Sequence, residues 1–530
     1  MIDDRETGLP SQSTYAPQMN SANGTNCANA ADHDHENPQS LFSAGEIGGI
    51  VGGACYGNLD AEIASVIVDS RMAGPGALFV ALPGDNVDGH DFIVDALQKG
   101  VSAVLASLRR ASEIKSRIEH ATSAGALHKD ALRNACLVFV DEPLRALQLL
   151  AKDYRRRMRN LYRIGVTGSS GKTTTKECIG AALAFAYPEG SVIMNEGNLN
   201  SDIGLALSIF TIRPEHRIGI FEMGMNRIGE MDELDEIYEP DMAVITNIGT
   251  AHIGIIGSRD KIAAEKKKIF SRFTGKQTGI VWEADDFRDF LESDVQGKIV
   301  EYGLSTTQGL QTVQDLGLSG WKIVWKNQTI RFPLPGKHNL NNCLAALSVV
   351  SELEVNPTLA ARGLEAVKPL FGRSEIFEGR IALIRDCYNA NPDSMAAALD
   401  FVDSLEWAGR KICVLGSMLE LGGSSQQEHR ELGRRVADSN VNAAFFFGDE
   451  ARFAYDEVLK LGSNTKQMAV FHTSDIEELN NAVTDYLQQG DLVLVKGSRG
   501  MALERLTNAL LEAGLVNFTL DKHEGGGHAT

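Results

Sequence analysis

The chain has little cysteine for its length, no excess of basic residues and no long apolar run, and each shortage removes a class of function. Its 530 residues carry 51 Lys and Arg against 70 Asp and Glu, a formal net charge of −19, which argues against a protein whose business is coating nucleic acid. Any anionic substrate must be met by local groups. The seven cysteines, at 27, 55, 136, 178, 343, 387 and 413, show neither close pairing nor metal-ligand spacing, so a reduced cytoplasmic compartment is expected. No run approaches the length of a membrane span, and no basic stretch followed by an apolar one stands at the N-terminus. Contact with a membrane would go through a partner, and a monomer is expected.

What is present is ordinary soluble material, 43% hydrophobic and 23% charged. The chain is longer than one core usually serves, so about three domains are expected. Residues 1–44 are rich in Asn, Ser, Ala and Asp with no apolar period and read as a disordered tail. His33 and His35 within it offer imidazoles to a metal, but a solvated tail is the preferred reading, as it is for the Gly-Gly-Gly-His ending. Beyond it, strand-like runs at 63–69, 77–82, 101–105 and 137–140 with a helix at 91–99 give an α/β pattern. A helix over 143–160 closes this part, and its basic end reads as a solvated face. Two polar clusters, at 69–71 and 83–92, read by themselves as a strand end and a turn.

The most informative stretch is 161–176. An apolar β-prone run with Ile164 and Val166 enters a turn holding Gly168, Ser169, Ser170 and Gly171, and a helix-compatible run over 172–186 leaves it. The two glycines let successive N–H groups turn toward a phosphate, and Lys172 can reach its outer neighbours. The Thr173 hydroxyl suits Mg2+, and the new helix adds its positive end. Strand-like runs recur at 191–194, 217–221 and 242–245, which predicts a parallel sheet with helices on both faces and a ligand at the carboxyl ends of its strands. Glu222 closes one of these strands, where a carboxylate can hold Mg2+ directly or through water. Asn247 and His252 follow the next, although a lone histidine is more often a structural hydrogen bonder. The charge run at 265–268, on a helix over 260–270, reads as surface. Residues 275–333 read as short antiparallel strands and turns that extend the sheet by insertion, and a helix opens at 335–342. Beyond about 371 a further α/β unit is predicted, with strands at 381–388, 411–415, 443–447, 469–472 and 492–495. Its loops at 387–393, 416–422 and 496–500 should share one edge facing the phosphate loop.

Together these motifs resemble the Mur ligases of peptidoglycan synthesis, across about residues 60–515. The resemblance is carried by 168–174, by 197–204 (Gly-Asn-Leu-Asn-Ser-Asp-Ile-Gly), by 222–226, by Ala251-His252 with Gly257-Ser258, and by Gly336-Lys337-His338-Asn339. Three more stretches, 388–394 (Tyr-Asn-Ala-Asn-Pro-Asp-Ser), 418–422 and 496–501, resemble the members that use D-alanyl-D-alanine. The fold implied is α/β in three domains after the tail of 1–44. They are a small α/β UDP-substrate domain at 45–158, a central P-loop, mostly parallel-sheet ATPase domain at 159–371, and a C-terminal Rossmann-like α/β domain at 372–530. The activity implied is an ATP-dependent amide ligase joining D-alanyl-D-alanine to UDP-N-acetylmuramoyl-tripeptide through an acyl phosphate.

The resemblance also implies roles for single residues. Gly168, Ser169, Ser170, Gly171, Lys172, Thr173 and Thr174 would hold ATP, with His338 and Asn339 on its adenine side. Asp386, Tyr388 and Asn391 would close the third domain over it. Thr173 and Glu222 would hold one Mg2+, with His252 near a second. Lys266 aligns with a lysine that is carbamylated in the family and would then bind metal, the alternative being a plain surface cation. The UDP-substrate would be met by Ser70, Arg71, Asp88, Gly89, His90, Asn198 and Asn200. The chain departs from the family pattern at Ser417 and Arg385, where acids are usual, and at Ser201, which replaces an Asn.

Overall fold

The structure of the protein, a computed structural model, describes residues 40–84, 87–462 and 468–517. The tail over 1–39 with His33 and His35, the Gly-Gly-Gly-His ending, and Asp85 and Asn86 of the second polar cluster lie outside the described residues. Residues 40–44, read from the sequence as tail, are folded. Ser43 and Glu46 form a reciprocal capping box that starts helix Ala44–Val51, and Phe42 is buried against the rings of Tyr154 and Phe210.

The first sheet has five strands in the order Ala54–Gly57, Cys136–Val140, Ala103–Ser107, Ala77–Val80 and Ser65–Ile67, parallel except for the first. The single strand predicted over 63–69 is two. Glu62–Ile63 pairs with Phe42–Ser43 while Ser65–Ile67 joins the sheet, and Asp69 leaves it to cap the short turn Ser70–Met72. Helix Pro143–Arg157 packs against Asp202–Ile209 and Glu230–Tyr238, so this sheet and the next share one hydrophobic core. That packing corrects the reading of the helix's basic end as wholly solvated. Arg155 is buried, donating to the Ile237 carbonyl at 3.1 Å and pairing with Glu239.

The central sheet is parallel throughout, in the order Lys298–Tyr302, Thr278–Trp282, Met242–Ile245, Tyr162–Thr167, Ile218–Glu222 and Val192–Met194. Its strands are apolar because helices cover both faces. Thr278–Trp282 and Lys298–Tyr302 extend it in parallel, since helices Arg259–Lys267 and Arg288–Glu292 return the chain before each. Only Leu310–Asp315, Trp321–Trp325 and Gln328–Phe332 are antiparallel, and they form a separate sheet rather than an extension. Strand Tyr162–Thr167 lies between the strands that end at Ile245 and at Glu222. The chain fills one side before the other, and the resulting switch point opens a crevice at the carboxyl ends.

The third sheet orders Glu375–Glu378, Ala382–Asp386, Leu492–Lys496, Lys411–Gly416, Ala443–Phe447 and Ala469–Thr473, with only the first strand antiparallel. That edge strand was not predicted. The three loops expected on one edge do meet: Ser498 accepts from the Leu419 N–H at 2.9 Å and donates to the Ala390 carbonyl at 3.2 Å. Among the described residues no helix is long and apolar enough to cross a membrane.

Candidate functional site

The site is built where strand Tyr162–Thr167 gives way to helix Lys172–Ala184. Gly168, with φ of 148°, and Gly171, with φ of 80°, turn the chain between them. Neither position has room for a side chain: a Cβ would meet the Thr246 hydroxyl at Gly168 and the Asn342 amide at Gly171. No side chain caps the helix, so its first N–H groups point free of the fold toward whatever occupies the loop. The loop itself is tied down from behind. Ser169 N–H donates to the Asn247 carbonyl at 2.9 Å, Ser170 N–H to Asn247 Oδ1 at 3.0 Å, and the Thr246 hydroxyl to the Ser170 carbonyl at 2.6 Å. Asn247 is thus a structural brace of the loop.

Two lysines converge on one acceptor. Lys172 Nζ and Lys266 Nζ each donate to the Gly168 carbonyl at 2.9 Å. Lys266 is 1% exposed, which overturns its reading as part of a surface charge run. Burial drives its pKa well down, Lys172 pushes the same way, and Glu222 and Glu265 only partly oppose them. Burial also lowers Lys172. The neighbour Glu265 faces the other side of the helix and accepts from the N–H groups of Gly229 and Met231 at 2.8 and 3.1 Å, and that contact anchors the segment carrying Lys266.

Glu222, also buried, accepts from the Thr173 hydroxyl at 2.8 Å through one carboxylate oxygen and from Asn200 Nδ2 at 2.7 Å through the other. Its main chain is clasped by Asn195, whose Oδ1 accepts the Glu222 N–H at 2.9 Å and whose Nδ2 donates to the Glu222 carbonyl at 3.1 Å. Sequence reasoning missed Asn195, and its place at a strand end just ahead of the Gly-Asn-Leu-Asn run was the available signal. His252 sits on a left-handed backbone, φ of 62°. Its Nδ1 is buried without a hydrogen-bond partner and lies 3.5 Å from Glu420 Oε2. Burial, then Lys172 and Lys266, pull its pKa down to about 4.

The third unit reaches the same loop through Asn391, which caps helix Pro392–Ser404 and turns Nδ2 to Ser170 Oγ at 3.3 Å. Asp386 accepts from Lys496 at 2.7 Å and from the Ser374 N–H at 3.2 Å. Burial opposes its charge, but Lys496 holds the carboxyl below its ordinary range. His338 faces Ser374 at 3.3 Å, and burial lowers its pKa. The ring of Tyr388 is covered at 4.2 Å by Arg373, a residue missed from the sequence. Asn339 is less available than expected: buried, it donates to the Pro335 carbonyl and accepts from Asn342.

The first unit's residues form a separate group, with no hydrogen bond or ion pair to the phosphate loop among the described residues. His90 is locked in place. Its Nε2 accepts the Ser107 N–H at 3.0 Å, so its Nδ1 carries the proton given to Asp88 at 2.6 Å. Asp88 also takes Arg110, and Gly89 N–H goes to the Leu82 carbonyl. Ser70 is buried, while Arg71 is exposed beside Asp69, and Asn198 is exposed on its turn. Asn200 alone of the set expected to meet the UDP-substrate touches the Glu222 cluster.

Three family models match in chain order: Mur ligase family, catalytic domain, over 62–155; Mur ligase middle domain over 166–350; and Mur ligase, glutamate ligase domain, over 372–499. The chain is 43% identical over 442 residues to a UDP-N-acetylmuramoyl-tripeptide--D-alanyl-D-alanine ligase of Treponema pallidum, covering 83% of this chain and 92% of that one. It is 35% identical to the Bacillus subtilis protein of the same name, covering 86% and 94%. Among solved structures, MurF from Acinetobacter baumannii superposes with a TM-score of 0.76 at 30% identity, covering 89% of this chain and 99% of that one. MurF ligase from Thermotoga maritima in complex with ADP gives 0.70 at 26% identity, covering 84% and 97%.

Proposed function

Because the chain belongs to the Mur ligase family, we propose that it joins D-alanyl-D-alanine to UDP-N-acetylmuramoyl-tripeptide at the expense of ATP, giving the pentapeptide precursor of peptidoglycan with ADP and phosphate. It acts as a cytoplasmic monomer, in three domains at 45–158, 159–371 and 372–530. The observation that supports this most is the gathering of Lys172, Thr173, Glu222 and Lys266 around one loop that the third unit also touches through Asn391.

A carboxylate is a poor electrophile at neutral pH, so the tripeptide's terminal carboxylate first takes the γ-phosphoryl group of ATP and ADP leaves. The amine of D-alanyl-D-alanine then attacks the acyl carbon, the tetrahedral intermediate expels phosphate, and the amine gives up its proton. The uncapped N–H groups at the start of helix Lys172–Ala184 and the Lys172 amine hold the phosphates, while the Ser169 and Ser170 N–H groups stay bonded to Asn247, and the helix aims its positive end at the same anion. Their part is to bring two anions together. His338 serves the adenine side, Asp386, Tyr388 and Asn391 keep the third unit over the nucleotide, and Ser70, Arg71, Asp88, Gly89, His90, Asn198 and Asn200 serve the UDP-substrate.

The donor set fits Mg2+. Thr173 and Glu222 already face each other, Asn200 steadies the second Glu222 oxygen, and the buried His252 Nδ1 lacks a partner. Mg2+ is commonly held by one or two carboxylates together with waters and substrate phosphates. When bound, Mg2+ supplies charge neutralisation at the transferring phosphoryl group. Lys266, whose burial favours loss of its proton, is chemically able to take up CO2 as a carbamate, and the carboxylate so formed would join Glu222 as a metal ligand.

The test is phosphate release from ATP with each substrate omitted in turn. Release that needs both UDP-N-acetylmuramoyl-tripeptide and D-alanyl-D-alanine and yields a pentapeptide is expected. Turnover indifferent to D-alanyl-D-alanine would sink this reading.

A further inference from the structure

Asp393 stands at the second position of helix Pro392–Ser404, where the helix N-terminus itself favours a carboxylate. Its Oδ2 nevertheless reaches across to the central unit, accepting the Thr250 N–H at 2.6 Å and the Thr250 hydroxyl at 2.8 Å. The adjacent Gly249 gives its own N–H to Ser169 Oγ at 2.8 Å. One carboxylate of the third unit therefore stands a single residue from a group bonded to the phosphate loop. Asn391 makes a parallel tie to Ser170.

A steric observation concerns the same seat. Gly254, in helix Ile253–Ile256, lies so close to the main chain of Leu421 and Gly422 that a Cβ would stand 2.7 Å from the Leu421 carbonyl carbon. Its backbone is not in the left-handed region, so nothing in its own conformation calls for glycine. Alanine would suit the helix better. The three nearest atoms such a Cβ would meet, the Leu421 carbonyl carbon and oxygen and the Gly422 nitrogen, all belong to the third unit. Between these contacts lies His252, facing Glu420.

We propose that Asp393 is a positioning residue for the ligase reaction: by holding the segment 249–250 it couples seating of the third unit to the conformation of the phosphate loop, and Gly254 leaves the room that seating requires. The coupling rests on the reading of 168–174 as the ATP site. It is reciprocal, so nucleotide on the loop stabilises the seated unit and the seated unit tightens nucleotide binding.

Two variants test it from different sides. Asp393→Asn weakens the bonds to Thr250 without changing size, and Gly254→Ala wedges the seat while leaving each unit's own fold intact. Binding of a non-hydrolysable ATP analogue is measured by calorimetry, and the radius of gyration by small-angle scattering at sub-saturating analogue. Both variants should bind the analogue roughly tenfold more weakly, Asp393→Asn through the loss of a charge-assisted hydrogen bond and Gly254→Ala through the displaced seat, and both should be more extended than the unsubstituted protein. The KM for ATP should rise in proportion while kcat at saturating ATP changes far less, because excess nucleotide restores seating. A melting temperature lowered without any shift in KM would mark Asp393 as merely structural and overturn the assignment. Analogue affinity in Gly254→Ala within about twofold of the unsubstituted protein, at an unchanged radius, would overturn it as well. Phosphate release that ignores D-alanyl-D-alanine in the unsubstituted protein would count against the ligase reading alone, since binding and scattering do not depend on that substrate.

Discussion

Lys266 combines three properties seldom found in one side chain: full burial, no ion-pair partner among the described residues, and a hydrogen bond to a carbonyl already claimed by a second lysine. Burial of this kind disfavours the charged form of the amine. The cost to the fold is the free energy of desolvating it, and on the proposed reading the chain carries that cost where an amine able to take up CO2 is useful. Lys266→Met, close in length and apolar, should therefore match or exceed the unsubstituted protein in melting temperature while losing about 100-fold or more in phosphate release, the opposing pattern of a site that trades stability for activity. Carbon-13 NMR after equilibration with labelled CO2 should show a carbamate carbonyl that this variant lacks. Full activity in Lys266→Met would remove the residue from the mechanism. The sequence alone showed a charge run, Glu265 to Lys268, and composition cannot tell its buried member from its exposed ones. Only the family resemblance singled out Lys266. The three departures from the family pattern are likewise explained by their neighbours. Ser201 caps helix Asp202–Ile209, Ser417 is buried and accepts the Ala451 N–H, and Arg385 forms a two-point pair with Glu375 at 2.7 and 2.8 Å.

Elements with a sequence signature of their own were legible, and those held by pairing with another element were not. The phosphate loop announced itself because strand, glycine turn and helix follow one another within 16 residues or so, and each is encoded locally. Edge strand Glu375–Glu378 went unseen because it is held by its pairing with Ala382–Asp386 and by the Arg385 pair rather than by its own apolar pattern. The direction of Thr278–Trp282 was misread for a related reason: strand composition does not distinguish parallel from antiparallel, whereas the helix before it does. Helix Glu230–Tyr238 carries an element-scale consequence of burial. Asp235 is fully buried on it, bonded through one oxygen to Arg272 at 3.0 Å while the other oxygen has no partner. Burial outweighs Arg272 and raises its pKa from 3.8 to about 7. The folded state then binds a proton between those values that the unfolded chain releases, so this group's stabilising contribution is present at low pH and lost as pH rises through that window. Asp235→Asn should flatten the fall by up to about 1.4 kcal/mol per pH unit, read from urea unfolding across pH 4 to 8 or so. Parallel profiles would refute the buried proton.

At the scale of the whole molecule, the hydrophobic clusters divide the chain differently from its sheets. One cluster runs from Leu41 to Leu291, joining the first sheet to the helices of the central unit, and another spans Ile164 to Val367 within the central unit. The two clusters of the third sheet draw their buried members only from Phe377 to Val516. What ties that unit to the rest is sparse: Asn391 to Ser170 and Asp393 to Thr250 near the phosphate loop, Gly254 against the Leu421 main chain, and Leu318 as the partly buried apolar residue of the central unit that packs on its core. Units that share a core unfold together, and a unit joined by a few contacts does not. Calorimetry should therefore resolve two transitions, one for the third unit and one for the first two together, rather than three of equal independence. A nucleotide analogue at about 100 times its dissociation constant adds roughly 2.7 kcal/mol to whatever state binds it. It should raise the transition of the joined units most and, to the extent that Asp393 couples seating to the loop, bring the two transitions closer. A single transition without nucleotide would mean that the sparse seat holds the units as firmly as a core. Three transitions would mean that the packing of helix Pro143–Arg157 against the central unit does not bind the first sheet to it.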